Sequence, residues 1–217
     1  MFGLFKYDGF VVQTCNKIVD CICLSVLWLV TSLPIVTIGA ATTALYYAIN
    51  TGIRQDKGGI WQAYWRSFRR NFKQATCIWL LLLLVYGVLG ASCYCTYQLI
   101  MHNMLPGEMF YGLLVVLFLV MAWANMLFPY LAKFQNSTPM ILKNCFGIGL
   151  LNLYISLLQP VFFVLVIAGI SMFPIAVLCA PGVYMVLSCY TLEPVFRKYM
   201  SEEDRAKEDA LLQDLNT

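Results

Sequence analysis

The polar side chains that fall inside apolar stretches are the first candidates for chemistry in this chain. Asn152, Ser156 and Gln159 are spaced i, i+4 and i+7, which places them on one face of a helix, and Asn125 lies in an earlier apolar stretch. In a membrane, amide and hydroxyl groups of this kind either bond neighbouring helices or line a path for a polar substrate. Both interpretations stay open, and bonding between helices is the favoured one.

Two acidic residues lie at the ends of apolar stretches. Asp20 is three residues from Lys17, and Glu193 is four residues from Arg197. These spacings place each acid beside a base on the same helix face. An ionisable group in lipid is costly unless it is paired or hydrated, so such groups are default functional candidates. We expect both acids to be paired at the membrane interface.

Signatures of an enzyme are missing from the sequence. The single histidine, His102, cannot supply a His-based triad within the apolar stretches or a His-rich metal site. The sequence contains no Walker motif, HExxH, GxSxG or EF-hand loop. The nine cysteines include no CxxC pair, and we interpret them as small apolar packing residues. The sequence therefore predicts neither catalysis nor a cofactor.

Composition and charge distribution place the chain in a membrane. Hydrophobic residues make up 61% and charged residues 12% of the chain, against about 25% charged residues in soluble domains. All fourteen Lys and Arg residues fall into four clusters, at 6–17, 54–73, 133–143 and 197–207. Loops rich in Lys and Arg are retained in the cytoplasm. The pattern predicts three membrane hairpins with both termini cytoplasmic, and a basic segment that contacts lipid headgroups rather than nucleic acid.

The hairpins correspond to an all-α bundle of six membrane helices. Their expected positions are 17–33, 36–53, 74–100, 109–131, 144–170 and 174–196. The first two are separated at Leu33-Pro34 because proline removes a backbone donor and disfavours the α region in the residue before it. Pro160 and Pro181 should kink the last two helices. The alternative is a five-span arrangement in which 18–38 forms one span followed by a surface helix.

A segment of different character, 58–73, precedes the third membrane helix. Its aromatic residues recur at helical spacing, and its basic residues occupy the adjacent face: Trp61, Tyr64, Trp65, Phe68 and Phe72, then Arg66, Arg69, Arg70 and Lys73. This pattern predicts a separate amphipathic helix lying in the membrane interface, either as an anchor or as a docking surface for a partner. We expect residues 1–200 to form one membrane domain and 201–217 a charged cytoplasmic tail.

Several motifs carry a family resemblance. They are LPIVTIGAATTALYY at 33–47, FRRNFKQA at 68–75, FPYLAKF at 128–134 and GLFKY at 3–7. With these motifs the chain resembles the YesL family of bacterial integral membrane proteins. The resemblance implies a location in the bacterial cell membrane and an association with carbohydrate uptake, and it transfers no catalytic or binding residues.

Three functional hypotheses follow. The leading one is a non-enzymatic accessory subunit of an ABC-type sugar importer, with helix 60–73 and the inner loops as contact surfaces. The second is a small transporter or channel with Asn125, Asn152 and Gln159 along its path. A continuous polar cavity would support that hypothesis, whereas amides bonded to neighbouring helices would count against it. The third is a sensory or regulatory protein acting through residues 201–217.

Overall fold

The computed structural model of the chain describes residues 10–54, 59–102, 106–134, 136–200 and 202, and only the backbone of 10–14 and 53–54. The described residues form helices and turns and contain no strand, which confirms the all-α prediction. The helices are α1 (Phe10–Ser32), α2 (Ile38–Ile49), α3 (Ile60–Met101), α4 (Glu108–Lys133), α5 (Thr138–Leu151), α6 (Leu153–Met172) and α7 (Ala180–Lys198). Short 3₁₀ segments, Ile35–Thr37 and Pro174–Leu178, precede α2 and α7, and a π-helical segment, Asn50–Arg54, follows α2.

Helix α2 lies at the centre of the bundle. Nine of its twelve residues are buried, and many of them are glycine or alanine, so neighbouring backbones can approach it closely. It contacts α1, α3, α4 and α7, while α6 packs against α4 and α7. Helix α3 comes close to α2 at Gly39, where an added Cβ would lie 2.6 Å from the Ala75 carbonyl oxygen and 2.7 Å from Trp79 Cβ. The bundle is therefore organised around a helix of small residues.

The predicted break at Leu33-Pro34 is confirmed. Helix α1 ends at Ser32, and Pro34 is extended, with φ −72° and ψ 114°. The Thr37 hydroxyl donates to the Thr31 carbonyl oxygen at 2.6 Å, which ties the turn to the end of α1. Helix α1 begins at Phe10, ahead of the predicted start at 17.

The prediction of a separate interfacial helix at 58–73 is wrong. Residues Ile60–Met101 form one helix of 42 residues, which is about 63 Å long at 1.5 Å per residue. No proline or glycine interrupts it near Lys73, and one stripe of buried residues continues through that point: Ala63, Tyr64, Ser67, Asn71, Ala75, Ile78 and Leu82. The predicted segments 58–73 and 74–100 share this single packing face, and nothing in the sequence between them ends the helix.

Four helices are long and apolar enough to cross a membrane, judged by length and composition within the described residues. They are Cys15–Ser32 of α1, together with α3, α4 and α6. Helix α2 has only twelve residues, about 18 Å, which is short against a hydrocarbon core of about 30 Å. The arrangement of six spans in three hairpins, and its five-span alternative, stay predictions.

The chain between 144 and 196 is divided differently from the prediction. The expected helix 144–170 is two helices, α5 and α6, separated at Asn152, whose backbone has φ −126° and ψ 51°. The Asn152 amide donates to the Ile148 carbonyl oxygen at 3.0 Å, a local bond that competes with helix continuation. Pro160 does lie inside α6, but Pro181 lies in the first turn of α7, where a proline is tolerated and no kink is needed.

Candidate functional site

A buried ion pair joins α4 to α7. Lys133 Nζ contacts Glu193 Oε1, and the two side chains are 8% and 0% exposed. The Tyr46 hydroxyl, from α2, donates to Glu193 Oε2 at 3.0 Å. Both carboxylate oxygens therefore accept a hydrogen bond, which offsets part of the cost of removing the charge from water. The arrangement connects three helices through one carboxylate.

Glu193 has a basic partner on another helix, which the expectation of a pair with Arg197 did not include. Glu193 is fully buried, and its ion pair crosses from α7 to α4. Sequence spacing identifies only partners on the same helix. Lys133 belongs to the basic cluster 133–143, which was predicted to lie in a cytoplasmic loop, so the pair was not expected. One signal in the sequence could have suggested this pair. Lys133 follows a long apolar stretch at its cytoplasmic end, and Glu193 was expected near the cytoplasmic end of another. Asp20 is partly exposed on α1, and the described part of the chain gives its carboxylate no ion pair.

A second polar network surrounds Tyr130 in α4. Its hydroxyl accepts from the side-chain amides of Asn136 and Asn144, each at 3.1 Å. The Gln74 amide, from α3, donates to the Asn136 carbonyl oxygen at 2.7 Å. The Tyr130 ring stacks on Phe134, with centroids 4.5 Å apart. These contacts fix the segment between α4 and α5 against α3, at the same end of the bundle as the ion pair.

Gln159, the last residue of the predicted polar stripe, connects α6 to α7. Its amide nitrogen donates to Thr191 Oγ1 at 2.9 Å, and its oxygen accepts from Ser188 Oγ at 2.9 Å. The side chain is fully buried. Both ends of the amide are thus occupied by a neighbouring helix, as the favoured interpretation expects.

The other two residues of the stripe are also bonded within the protein. Asn152 lies at the break before α6, and its amide nitrogen also lies 3.2 Å from the Tyr199 hydroxyl. The Ser156 hydroxyl donates to the Gly149 carbonyl oxygen at 3.1 Å and lies 3.1 Å from Met126 Sδ. Asn152, Ser156 and Gln159 therefore hold α5, α6 and α7 to their neighbours.

Asn125 is separate from this stripe and lines a cavity of about 630 Å³. Six helices and the 3₁₀ segment before α7 form the cavity wall, which is overwhelmingly apolar. Two polar groups of the wall bond to each other: Trp28 Nε1 donates to Thr42 Oγ1 at 3.2 Å. Asn125 Nδ2 is buried and has no hydrogen-bond partner among the described residues. Sequence reasoning identified Asn125 but could not show the cavity.

The basic residues of 60–73 form an exposed surface at the N-terminal end of α3. Arg66, Arg69, Arg70 and Lys73 are all exposed. The Arg69 guanidinium lies 5.9 Å from the centre of the Trp65 ring, and the Arg70 guanidinium 5.7 Å from that of Tyr47. These distances are within the range of cation–π contacts, so aromatic rings hold two of the four cations.

The aromatic residues of the same segment do not form the lipid-facing surface that the sequence predicted. Tyr64 is fully buried, and its hydroxyl lies 2.5 Å from Thr31 Oγ1 of α1. Trp65 and Phe68 are partly buried against the core. Only Trp61, at 55%, and Phe72, at 36%, are exposed. The expected aromatic face is wrong because its larger part packs against the protein.

These observations define the class of the protein. The chain is all-α, and its four long apolar helices indicate a multi-pass membrane protein. Within the described ranges, no group of three or more His, Cys, Asp or Glu residues is arranged to hold a metal ion.

Comparison with known proteins gives a match to a protein family. The family described as "Protein of unknown function, DUF624" matches residues 21–93, about a third of the chain. That range contains α2 and the basic end of α3, and it excludes Lys133, Asn125 and Glu193. No curated protein and no solved structure matches the chain.

Proposed function

We propose that this protein is a non-enzymatic accessory subunit of the membrane, and that it binds its partner through the cationic end of α3. This surface comprises the exposed residues Trp61, Arg66, Arg69, Arg70, Phe72 and Lys73. The observation that carries the proposal is the combination of four exposed cations with exposed aromatic side chains on one rigid helix. Arginine and aromatic residues are the types most enriched where proteins bind one another.

The opposite face of the same turns explains why this surface is rigid. Tyr64, Ser67 and Asn71 are buried against the bundle, and the Asn71 amide donates to Ser67 Oγ at 3.2 Å. The helix is also longer than the hydrocarbon core, so its basic end can lie among the headgroups or beyond them. A surface that is already ordered loses less conformational entropy on binding. The basic end of α3 is therefore suited to a stable contact with another protein.

The partner and the location follow from the YesL resemblance. On that basis the protein resides in the bacterial cell membrane and its partner is a subunit of an ABC-type sugar importer. The DUF624 match covers the cationic end of α3 and carries no function of its own.

Reversing charge on this surface should release the partner. We expect importer subunits to co-purify with the intact chain in mild detergent, and to be lost when Arg66 and Lys73 are both replaced by glutamate. Lys143→Glu is the matched control, because Lys143 is an exposed base on α5, outside the surface. Recovery of the intact chain without importer subunits that are present in the same membranes would overturn the proposal. Equal co-purification with both variants would overturn the assignment of the surface.

We also propose that both termini are cytoplasmic. In a variant free of native cysteine, Cys introduced at position 6 should be protected from a membrane-impermeant maleimide in intact cells. Cys introduced in place of His102, an exposed residue after α3, should be labelled. Labelling of position 6, with protection of position 102, would reverse the orientation.

Two alternatives remain as weaker proposals. A small transporter or channel needs several free polar groups along a path, and Asn152, Ser156 and Gln159 are bonded to neighbouring groups. Asn125 does line a cavity, but the wall of that cavity is overwhelmingly apolar. A sensory or regulatory role through 201–217 depends on a segment that lies, apart from residue 202, outside the described residues. Neither has the support that the exposed cationic surface gives the first proposal.

A further inference from the structure

We propose that the cavity between α1, α2, α3, α4, α6 and α7 is a binding site for an uncharged acyl lipid, with Asn125 as the hydrogen-bond donor to its ester carbonyl. The occupant enters from the bilayer and is held mainly by its hydrocarbon chain. This site is distinct from the cationic end of α3, and its function does not depend on the accessory role proposed above.

The size of the cavity suits a ligand rather than a packing defect. Its volume is about 630 Å³, inside the range of about 300–1,000 Å³ typical of small-molecule sites. Voids inside well-packed proteins are seldom much larger than a water molecule. A cavity of this size lined by apolar side chains does not hold water favourably. A hydrocarbon occupant would restore the contacts that the wall otherwise lacks.

The edge of the cavity indicates where the occupant comes from. Phe163 and Ile167 of α6 and Val177 of the following 3₁₀ segment line the cavity and are 37%, 49% and 41% exposed. Helix α6 is one of the four helices apolar enough to cross a membrane. Its exposed apolar side chains are therefore expected to face acyl chains, and the cavity opens among them. Lipid is the molecule present at highest concentration at that opening.

The polar groups of the wall define the rest of the ligand. Among the described residues, no Asp, Glu, Lys, Arg or His lines the cavity, so a charged headgroup would meet no counter-charge from them. Among the lining residues, Asn125 alone has a buried side-chain polar atom without a partner in the described structure. Its Nδ2 is a donor, so it requires an acceptor. An ester carbonyl on an uncharged acyl lipid supplies one, and a bare hydrocarbon does not.

Photolabelling of the full chain in phospholipid nanodiscs tests this site. The probe is diacylglycerol with a diazirine on one acyl chain, present as a trace component. We expect labelled peptides from α4 and α6, and competition by unlabelled diacylglycerol. Val177→Trp should remove most of this labelling because the indole fills the opening. Val164→Trp is the matched control, because Val164 is an exposed residue of α6 that does not line the cavity. Its replacement should leave the diacylglycerol labelling unchanged.

The role of Asn125 has its own readout. Asn125→Leu keeps the approximate size of the side chain and removes the donor, so diacylglycerol labelling should fall about five-fold, the effect of one neutral hydrogen bond. A long-chain alkyl diazirine without oxygen should label the variant as well as it labels the original chain. Equal loss of both probes would overturn the assigned role of Asn125.

Two further results would overturn the site itself. One is labelling spread over all exposed helix faces, without competition and without an effect of Val177→Trp. The other is a crosslink through the cavity to a second copy of the chain. Phosphatidylglycerol carrying the same diazirine chain is the charged comparison. If it labels the chain as strongly as diacylglycerol does, and Val177→Trp removes that labelling too, the assignment to an uncharged lipid is overturned.

Discussion

Glu193→Gln should lower the free energy of unfolding by about 3 kcal/mol, the low end of the cost of removing one partner from a buried ion pair. The substitution removes the negative charge while the Lys133 side chain, 8% exposed, stays buried. The Tyr46 hydroxyl can still donate to the amide oxygen, so the loss reports mainly on charge. Unfolding by a denaturing detergent, followed by tryptophan fluorescence, measures the difference.

Two variants separate the ion pair from a general defect. Adding Lys133→Met to Glu193→Gln removes both charges and should recover more than half of the loss, because no buried charge then lacks its counter-charge. Glu108→Gln changes an exposed acid in the first turn of α4 and should alter stability by no more than about 0.5 kcal/mol. A double variant no more stable than Glu193→Gln would show that the charge pair is not the cause.

Gly39→Ala should separate α2 from α3 and lower the free energy of unfolding by about 1–3 kcal/mol, the usual cost of overpacking. The added methyl group would lie 2.6 Å from the Ala75 carbonyl oxygen and 2.7 Å from Trp79 Cβ. The first of these atoms belongs to the backbone and the second is attached directly to it, so side-chain rotation cannot relieve the contact. The same denaturation experiment measures this effect.

Gly87→Ala is the matched control for Gly39→Ala. An added Cβ at Gly87, in the exposed half of α3, meets nothing within 4 Å. Removing a glycine from a helix interior should then stabilise the protein by up to about 1 kcal/mol. Opposite signs for the two glycine substitutions are the expected result. Stabilisation by both would mean that α2 and α3 are farther apart than the structure places them.

Local signals in the sequence were sufficient where one residue determines the backbone. Pro34 ends α1 because its ring and missing donor act on its immediate neighbours. At Gly39 the missing side chain lets α3 approach α2 closely, which is also an effect of a single residue. The break at Asn152 was missed, because asparagine only weakly disfavours a helix and its effect depends on the bond it makes to Ile148.

Other features depend on how the helices pack against one another. The segment 60–73 has the same helical period whether its aromatic side lies in lipid or against a bundle, so periodicity did not reveal that Tyr64 packs on α1. The Lys133–Glu193 pair joins residues 60 apart, and spacing along one helix could not find it. The cavity at Asn125 is the volume that six helices leave between them, which no single segment encodes.

The uninterrupted length of α3 has a mechanical consequence. Its N-terminal half is anchored by buried side chains as far as Leu82, and beyond that residue no described side chain of the helix is buried. Sharp kinks in a helix need an interruption such as a proline or a bulge, and α3 contains no proline. If the anchored half rotated by a small angle as a rigid body, Met101 would therefore be displaced farther than the residues near Leu82.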